Sequence, residues 1–518
     1  MSIINPDLLL STNQKISRRE VTRLIALASM TIPFAMSCKE IKPALQAGEL
    51  QSIHFATLSE IADFIRNKKI SSEEITRLIL KRIETLDTKL NSYITVMNES
   101  ALSTAKAMDK ELAEGKYRGP LHGVPIAVKD LLFTTNAPTT GSHSFNANFI
   151  PSFNATVIDK LQQAGAIILG KLNLTEGAMG GYNSISKIPK NPWGSDLWTG
   201  VSSSGSGVAT AAGLCFGSIG SDTGGSIRFP CVANGIVGMK PTYGLVSRYG
   251  VLPLAESLDH VGPMTRTVLD AALMLEVMAG YDPHDATSLE DKAQPMYASI
   301  KDNIKGMKIG VDHNYISKDV DPGLSTSIES AIKKLEELGA TIVPFEMPSN
   351  EKERGGAWFT IVSKEAFESN KSTYPSRKNE YGNDFAGILE MGSKVTETQY
   401  KQARQLQVDF KTKFRSLLST VDAFAAPAGG MAKGLTDEMW RSKEGVIPHF
   451  SNELDLQFGE PADMAGIPAL TLPCGKAEGG MPPPGFQLMG GPLTEASLFR
   501  IGYAYEQATE WYKQHPNI

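Results

Sequence analysis

Residues 200–230 read GVSSSGSGVATAAGLCFGSIGSDTGGSIRFP. Taken by itself, Ser202–Gly207 has the composition of a flexible linker. The next residues change that reading. Val208–Phe216 is a small, apolar, helix-compatible run, so the Ser/Gly stretch leads straight into buried structure. Serine and glycine ahead of a helix start leave backbone N–H groups unpaired and suited to holding anions. Asp222-Thr223-Gly224-Gly225-Ser226 is a second such turn. Adjacent glycines let the chain turn tightly and let N–H groups approach a ligand. An oxyanion hole needs the same thing, donors aimed where negative charge develops. A serine at the end of the turn could then attack a carbonyl, although a single GGS motif also occurs as a plain structural turn.

A serine nucleophile needs a base. The chain has only eight histidines, and no GxSxG elbow surrounds Ser202, Ser203 or Ser226. A Ser-His-Asp esterase would instead draw its base from His122, His143 or His260. Lys129 is the other candidate. It follows the apolar run Val124-Pro125-Ile126-Ala127-Val128, which reads as a buried strand, although Pro125 weakens that reading because proline is confined to strand starts, edges or bulges. Burial lowers a lysine pKa. A shift from about 10.4 to about 7 costs on the order of 4–5 kcal/mol and demands an apolar setting. Taken on its own, Lys129 reads first as a surface lysine after a strand.

Outward from this centre, helices and strands alternate. Thr57-Leu58-Ser59-Glu60 and Ser71-Ser72-Glu73-Glu74 start helices with capping-box spacing. The second carries a stripe of Ile75, Leu78, Ile79 and Ile83. A third helix is expected from about Glu99 to Glu114, ending at Gly115. Thr156–Gln163 reads as helix and Ala166–Gly170 as strand. Met307–Val311, Ser325–Leu338 and Thr341–Phe345 repeat the strand–helix–strand theme, and 475–484 is a turn ahead of Gly485–Met489. Such alternation predicts an α/β layer architecture.

With 41% hydrophobic and 21% charged residues, the 518-residue chain can bury a large core. Its formal net charge of -5, without a basic stripe, argues against a nucleic-acid binder. None of Cys38, Cys215, Cys231 and Cys474 forms a CxxC pair, so a zinc or thioredoxin-like site has no support. Cys215, Cys231 and Cys474 read as small buried apolar residues.

The N-terminus has the form of an export signal. Lys15, Arg18, Arg19 and Arg23 precede an apolar run from Leu24 to Met36, the length of a signal-peptide core and short for a bilayer span. Ser17-Arg18-Arg19 resembles the twin-arginine motif. Ala35-Met36-Ser37-Cys38 resembles a lipoprotein cleavage box, which would make Cys38 the lipidated first residue. The expected organisation is an export signal over 1–38, a tether over 39–54 and one domain over 55–518, with the mature protein periplasmic or membrane-anchored. The alternative is a plain amphipathic leader on a cytoplasmic protein.

Together these segments resemble the amidase signature family. GPLHGVPIAVKD at 119–130 is similar to its lysine motif, and Ser202–Gly207 with GSDTGGSIRFP at 220–230 to its serine-rich signature. GIVGMKPTYG at 235–244, PADMAGIPA at 461–469 and Gly485-Phe486-Gln487-Leu488 extend the likeness over roughly residues 55–515. The resemblance implies one large α/β domain, a mixed β-sheet core covered by α-helices on both faces. It implies hydrolysis of an amide to an acid and ammonia or an amine, with Ser226 as nucleophile, Ser202 as proton relay and Lys129 as base. It further implies an oxyanion hole from the amides of Thr223, Gly224, Gly225 and Ser226, a cis peptide at Val201–Ser202, and no metal or organic cofactor. Many relatives have glycine where this chain has Val201. The serine-rich form resembles peptide amidases, so the expected partner is a small-molecule or peptide amide.

Two other readings remain open. The C-terminal motifs also resemble the glutaminase subunit of the tRNA-dependent amidotransferase. That subunit type carries an arginine pair in the middle region, and residues 383–392 here read NDFAGILEMG, without arginine; Asp455 lies one residue out of register with its aspartate. A catalytically silent binding protein on the same fold is the second, and intact Lys129, Ser202 and Ser226 speak against it. In the family, segments matching Gly177–Asn183 and the 350–460 region shape the acyl pocket. Trp358, Phe359, Phe385, Trp440, Phe450 and Phe458 are each candidates for that lining or for the core.

Overall fold

The first two helices begin where their caps place them. The Thr57 side chain accepts from Glu60 N and the Glu60 carboxylate from Thr57 N, starting α1 (Leu58–Arg66). Ser71 and Glu74 make the same reciprocal pair at the head of α2 (Ser72–Leu90). Each box satisfies two otherwise orphaned donors. The computed structural model describes residues 52–290, 295–429 and 456–518, all within one compact unit. The expected export signal with Cys38, the tether up to residue 51, Trp440, Phe450 and Asp455 lie outside the described residues. Residues 52–54, expected in the tether, already belong to the packed unit: Ile53 opens a short 3-10 turn and is buried.

On α2 the buried face is Ser72, Ile75, Thr76, Ile79, Leu80 and Ile83. Leu78, expected in the stripe, is 44% exposed. At 100° per residue it falls outside the arc those six share, and Thr76 and Leu80 take its place.

The chain continues as β1 (Tyr93–Val96), α3 (Asn98–Ala113), β2 (Pro125–Lys129), α4 (Thr156–Gln163), β3 (Ile167–Leu172), α5 (Ser204–Ala211), β4 (Gly217–Asp222) and α6 (Arg228–Asn234). Then follow β5 (Val237–Lys240), β6 (His260–Thr265), α7 (Val268–Met278), β7 (Lys308–Val311), α8 (His313–Ser317), α9 (Pro322–Glu337) and β8 (Thr341–Pro344). The remainder is α10 (Glu351–Asn370), α11 (Asn383–Lys394), α12 (Glu397–Leu418), β9 (Ala423–Pro427), α13 (Leu456–Ala465), β10 (Ala469–Pro473), β11 (Gly485–Met489) and α14 (Glu495–Thr509). Helix α9 starts three residues before its expected Ser325, because Asp321 caps it and Pro322 occupies its first position.

The strands form one mixed sheet in the order β1-β3-β2-β4-β6-β5-β10-β11-β9-β7-β8. Pairs β2–β3, β2–β4, β7–β8 and β7–β9 are parallel and the rest antiparallel. Strands β2 to β6 and β9 to β11 are buried along their whole length. Strands buried at every position are covered on both faces, as expected of an α/β layer fold. Edge strands β1 and β8 are partly exposed. From β2 the chain crosses to β3 on one side and later returns to β4 on the other. The carboxyl ends of β2 and β4 therefore flank a point where strand order reverses, the usual ligand position in such sheets.

Candidate active site

Lys129 is the last residue of β2, and Asp222 ends the neighbouring parallel strand β4. Ser226 sits in the turn from β4 to α6, and Ser202 and Ser203 precede α5. The Val201–Ser202 peptide is cis, as expected. Residues 204–207 are not a linker but the first turn of α5, all buried. Their glycines serve close packing: a Cβ on Gly205 would lie 2.4 Å from Ser92 O, and one on Gly207 2.7 Å from Asn234 Nδ2. The Ser/Gly composition thus reflects contact between α5 and its neighbours rather than freedom.

Lys129 is fully buried. Its Nζ lies 2.8 Å from Ser202 Oγ, 2.8 Å from Ser203 Oγ and 2.9 Å from Ser221 Oγ. Burial pushes its pKa from 10.5 down to about 7, against the weaker opposing pull of the Asp222 and Asp259 carboxylates. The surrounding bonds assign direction. Ser203 Oγ donates to Ser221 O at 3.2 Å, so its oxygen is left to accept from Lys129. A neutral amine keeps one lone pair, which Ser202 Oγ–H is placed to use. Ser203 and Ser221 were not singled out by the sequence. Serine is common there, and only convergence in space marks these two.

Ser202 and Ser226 both line a cavity of about 20 Å³ with Thr223, Gly224, Thr175, Ala178, Met179, Val201, Phe229, Leu254 and Trp358. That is room for a single water. Within residues 221–230 Ser226 alone is half-buried; the others are buried.

The turn itself is built around the Asp222 carboxylate, which accepts from Gly225 N at 2.5 Å and Ile227 N at 3.0 Å. The Gly225 amide is therefore taken by Asp222 and does not point into the cavity. Of the four amides expected in the oxyanion hole, those of Thr223, Gly224 and Ser226 have no partner among the described residues. Gly225 serves the turn instead: its φ is +121°, and a Cβ there would meet the Phe229 ring at 2.3 Å.

Arg228 anchors Asp222 from behind, with Nε 3.0 Å from Oδ2 and an Nη 3.1 Å from Oδ1. It also reaches Asp463 at 2.6 Å and Gln487 at 3.1 Å. Burial opposes the Asp222 charge, but Arg228 and Lys240 outweigh it and hold the carboxyl well below its usual range. An ionised, fully hydrogen-bonded carboxylate fixes the turn's shape at neutral pH. Thr223 is tied at both ends: its hydroxyl donates to Asp259 at 2.7 Å, and its carbonyl accepts from Trp358 Nε1 at 2.9 Å.

No histidine lines the cavity among the described residues. His122 Nε2 is 3.0 Å from Met108 O, His143 Nδ1 3.1 Å from Glu176, and His260 Nδ1 3.3 Å from Asp222 O. Of the aromatic candidates, Trp358 lines the cavity, Phe385 packs against Gly177 and Gly180, and Phe458 is core. Phe359 is partly buried and packs against the core. Cys215, Cys231 and Cys474 are free and buried, as read from the sequence.

The family described as Amidase matches residues 74–499. A protein named as an amidase, AmiD of Mycobacterium tuberculosis, is 40% identical over 461 residues, covering 89% of this chain and 96% of AmiD. A glutamyl-tRNA(Gln) amidotransferase subunit of Moorella thermoacetica is 37% identical over 492 residues, covering 90% of this chain and 99% of that protein. The native peptide amidase of Stenotrophomonas maltophilia superposes with a TM-score of 0.78 at 30% identity, covering 89% of this chain and 98% of that one.

Proposed function

The chain belongs to the amidase family, and on that premise we propose that it hydrolyses linear carboxylic amides through an acyl-enzyme on Ser226. One observation carries the assignment of roles. A fully buried amine, Lys129 Nζ, lies 2.8 Å from Ser202 Oγ, and Ser202 shares a cavity with the half-buried Ser226.

The proton path follows from that arrangement. As Ser226 Oγ bonds to the carbonyl carbon, its proton passes to Ser202 Oγ, whose own proton passes to the Lys129 lone pair. The amides of Thr223, Gly224 and Ser226 receive the oxyanion. The lysine, now an ammonium, returns its proton through Ser202 to the departing nitrogen as the C–N bond breaks. Water then enters by the same route, and the acid leaves. Burial makes both directions workable, since a pKa near operating pH suits a group that must accept and then donate.

Release of ammonia or amine from short aliphatic, aryl, fatty-acyl and C-terminal peptide amides tests this reading. Only neutral Lys129 can accept a proton, so the active fraction grows as pH rises. The expected kcat/KM climbs with pH, falling about tenfold per unit below the lysine pKa of about 7 and levelling above it. A profile flat from pH 5 to 9 would remove lysine as the base. Likeness to the peptide amidase places peptide amides in the panel. The likeness to the amidotransferase subunit supports a second reading, glutamine hydrolysis for a tRNA-bound acceptor. Against it, residues 383–392 read NDFAGILEMG, without the arginine pair of that subunit type. Activity on glutamine alone, and only with the other subunits and tRNA present, would favour the second reading.

We also propose export, with lipid attachment at Cys38. The support is the basic stretch Lys15–Arg23, the apolar run Leu24–Met36 and Ala35 and Ser37 ahead of Cys38. Mass spectrometry of protein from its native host is expected to find the mature chain starting at Cys38 and carrying acyl mass. An N-terminus at Met1 would overturn it.

A further inference from the structure

We infer that Trp358 aims the oxyanion turn and selects compact, uncharged acyl groups, an inference that rests on Ser226 being the nucleophile. Trp358 is 3% exposed, on α10. One helical turn earlier on the same face, Arg354 Nε lies 2.6 Å from Glu460 Oε1 on α13, and both side chains are fully buried. That pair fixes α10 against α13, and with it the position of the indole.

The indole N–H donates to Thr223 O at 2.9 Å. In a trans peptide the C=O and the following N–H point in opposite directions. The Thr223–Gly224 peptide is not among the cis bonds. Tying the Thr223 carbonyl to Trp358 therefore turns Gly224 N–H the other way, and that amide has no partner among the described residues. A hydrogen bond on the carbonyl also polarises the peptide and strengthens its N–H as a donor. The Thr223 side chain is held separately by Asp259. Loss of the indole bond would loosen the peptide plane without freeing the whole turn.

The same ring is a wall. A Cβ on Gly224 would fall 2.4 Å from Trp358 Cζ2, so the indole lies against the bare Cα. With Met179, Leu254 and Phe229 it walls the cavity of about 20 Å³ around the serines, whose lining carries no charged side chain among the described residues. A wall this close to the serine turn disfavours bulky acyl groups, and a charged one would be stripped of water with no charged partner among these residues. Trp358 is thus a positioning residue through Gly224 and a specificity determinant through its ring.

Two variants separate the roles. Trp358→Phe removes the N–H and keeps an aromatic wall. Its kcat is expected to fall about tenfold on every amide, with KM within about twofold and the acyl preference kept; removal of a whole oxyanion donor costs about 10²–10³. The inhibition constant of a trifluoromethyl ketone, which forms a tetrahedral adduct, is expected to rise in step. Trp358→Ala is expected to shift preference from acetyl towards benzoyl amides by tenfold or more. If Trp358→Phe melts well below the parent, 3-benzothienylalanine at 358 replaces it, keeping the ring shape and removing only the donor. Wild-type kcat and inhibitor affinity in the donor-less variant, or unchanged acyl preference in Trp358→Ala, would overturn the inference. A parent protein inert towards all amides would instead refute the reading of Ser226.

Discussion

Lys129→Ala is expected to lower kcat/KM by about 10²–10⁴-fold, the range for loss of a positioned acid–base group. The residual rate should lose its dependence on pH near 7, because the titrating amine is gone. Lys129→Met should be as inactive, since it matches the lysine stem in length and its thioether sulfur is far too weakly basic to take the proton. The pair guards against misfolding as the cause. Alanine leaves a hole among Ser202, Ser203 and Ser221, whereas methionine fills it. Circular dichroism and melting on both variants complete the comparison. Wild-type turnover in either would end lysine's candidacy. Burying the amine uncharged costs about 4–5 kcal/mol at neutral pH, which a purely structural site would avoid with an apolar residue.

Ser226→Ala should show the largest loss, about 10⁶-fold in kcat by analogy with nucleophile removal in other serine hydrolases. It should also end covalent labelling by a fluorophosphonate, which bonds to the attacking oxygen. Labelling that persists in Ser226→Ala would move the nucleophile elsewhere. Residues acting as one unit do not add. The double variant Lys129→Ala with Ser226→Ala is therefore expected to match Ser226→Ala alone. A further hundredfold loss would mean that Lys129 acts independently of the serine.

Local chemistry made part of the fold readable in advance. Thr57 with Glu60, and Ser71 with Glu74, are complete capping boxes in one short window, and both helices start there. The β-branched runs at 124–128 and 167–169 announce β2 and β3. Strands β4 (GSIGSD) and β6 (HVGPMT) lack that pattern. Glycine and polar residues make them poor strands by propensity, and burial together with pairing on both edges holds them, through six registers with each other and further ones with β2 and β5. Composition misled at Ser204–Gly207, because close packing and flexibility ask for the same small residues.

The site divides the same way. Lys129, Ser202 and Ser226 stood in contiguous motifs, and the fold brings Lys129 to Ser202, and Ser202 and Ser226 to one cavity. Ser221 looked like any residue of β4 until its hydroxyl met the lysine. Trp358 meets Thr223 across 135 residues of chain, a pairing no local pattern reveals. Gly225 fitted an oxyanion turn by type, but an amide's direction depends on the peptide planes around it, and Asp222 had claimed this one.

The parallel pairing of β2 and β4 has an evolutionary consequence. Ala127 faces Ser218 and Val128 faces Ile219, so the spacing between amine and nucleophile is ruled by ladder hydrogen bonds, not by the long excursion joining the two strands. Loops of that excursion that carry neither β3 nor the Ser202–Ser203 turn can change length and keep the chemistry. Gaining or losing one codon inside β2 would swing position 129 to the opposite side of the sheet, so those few codons cannot drift in length without loss of the site.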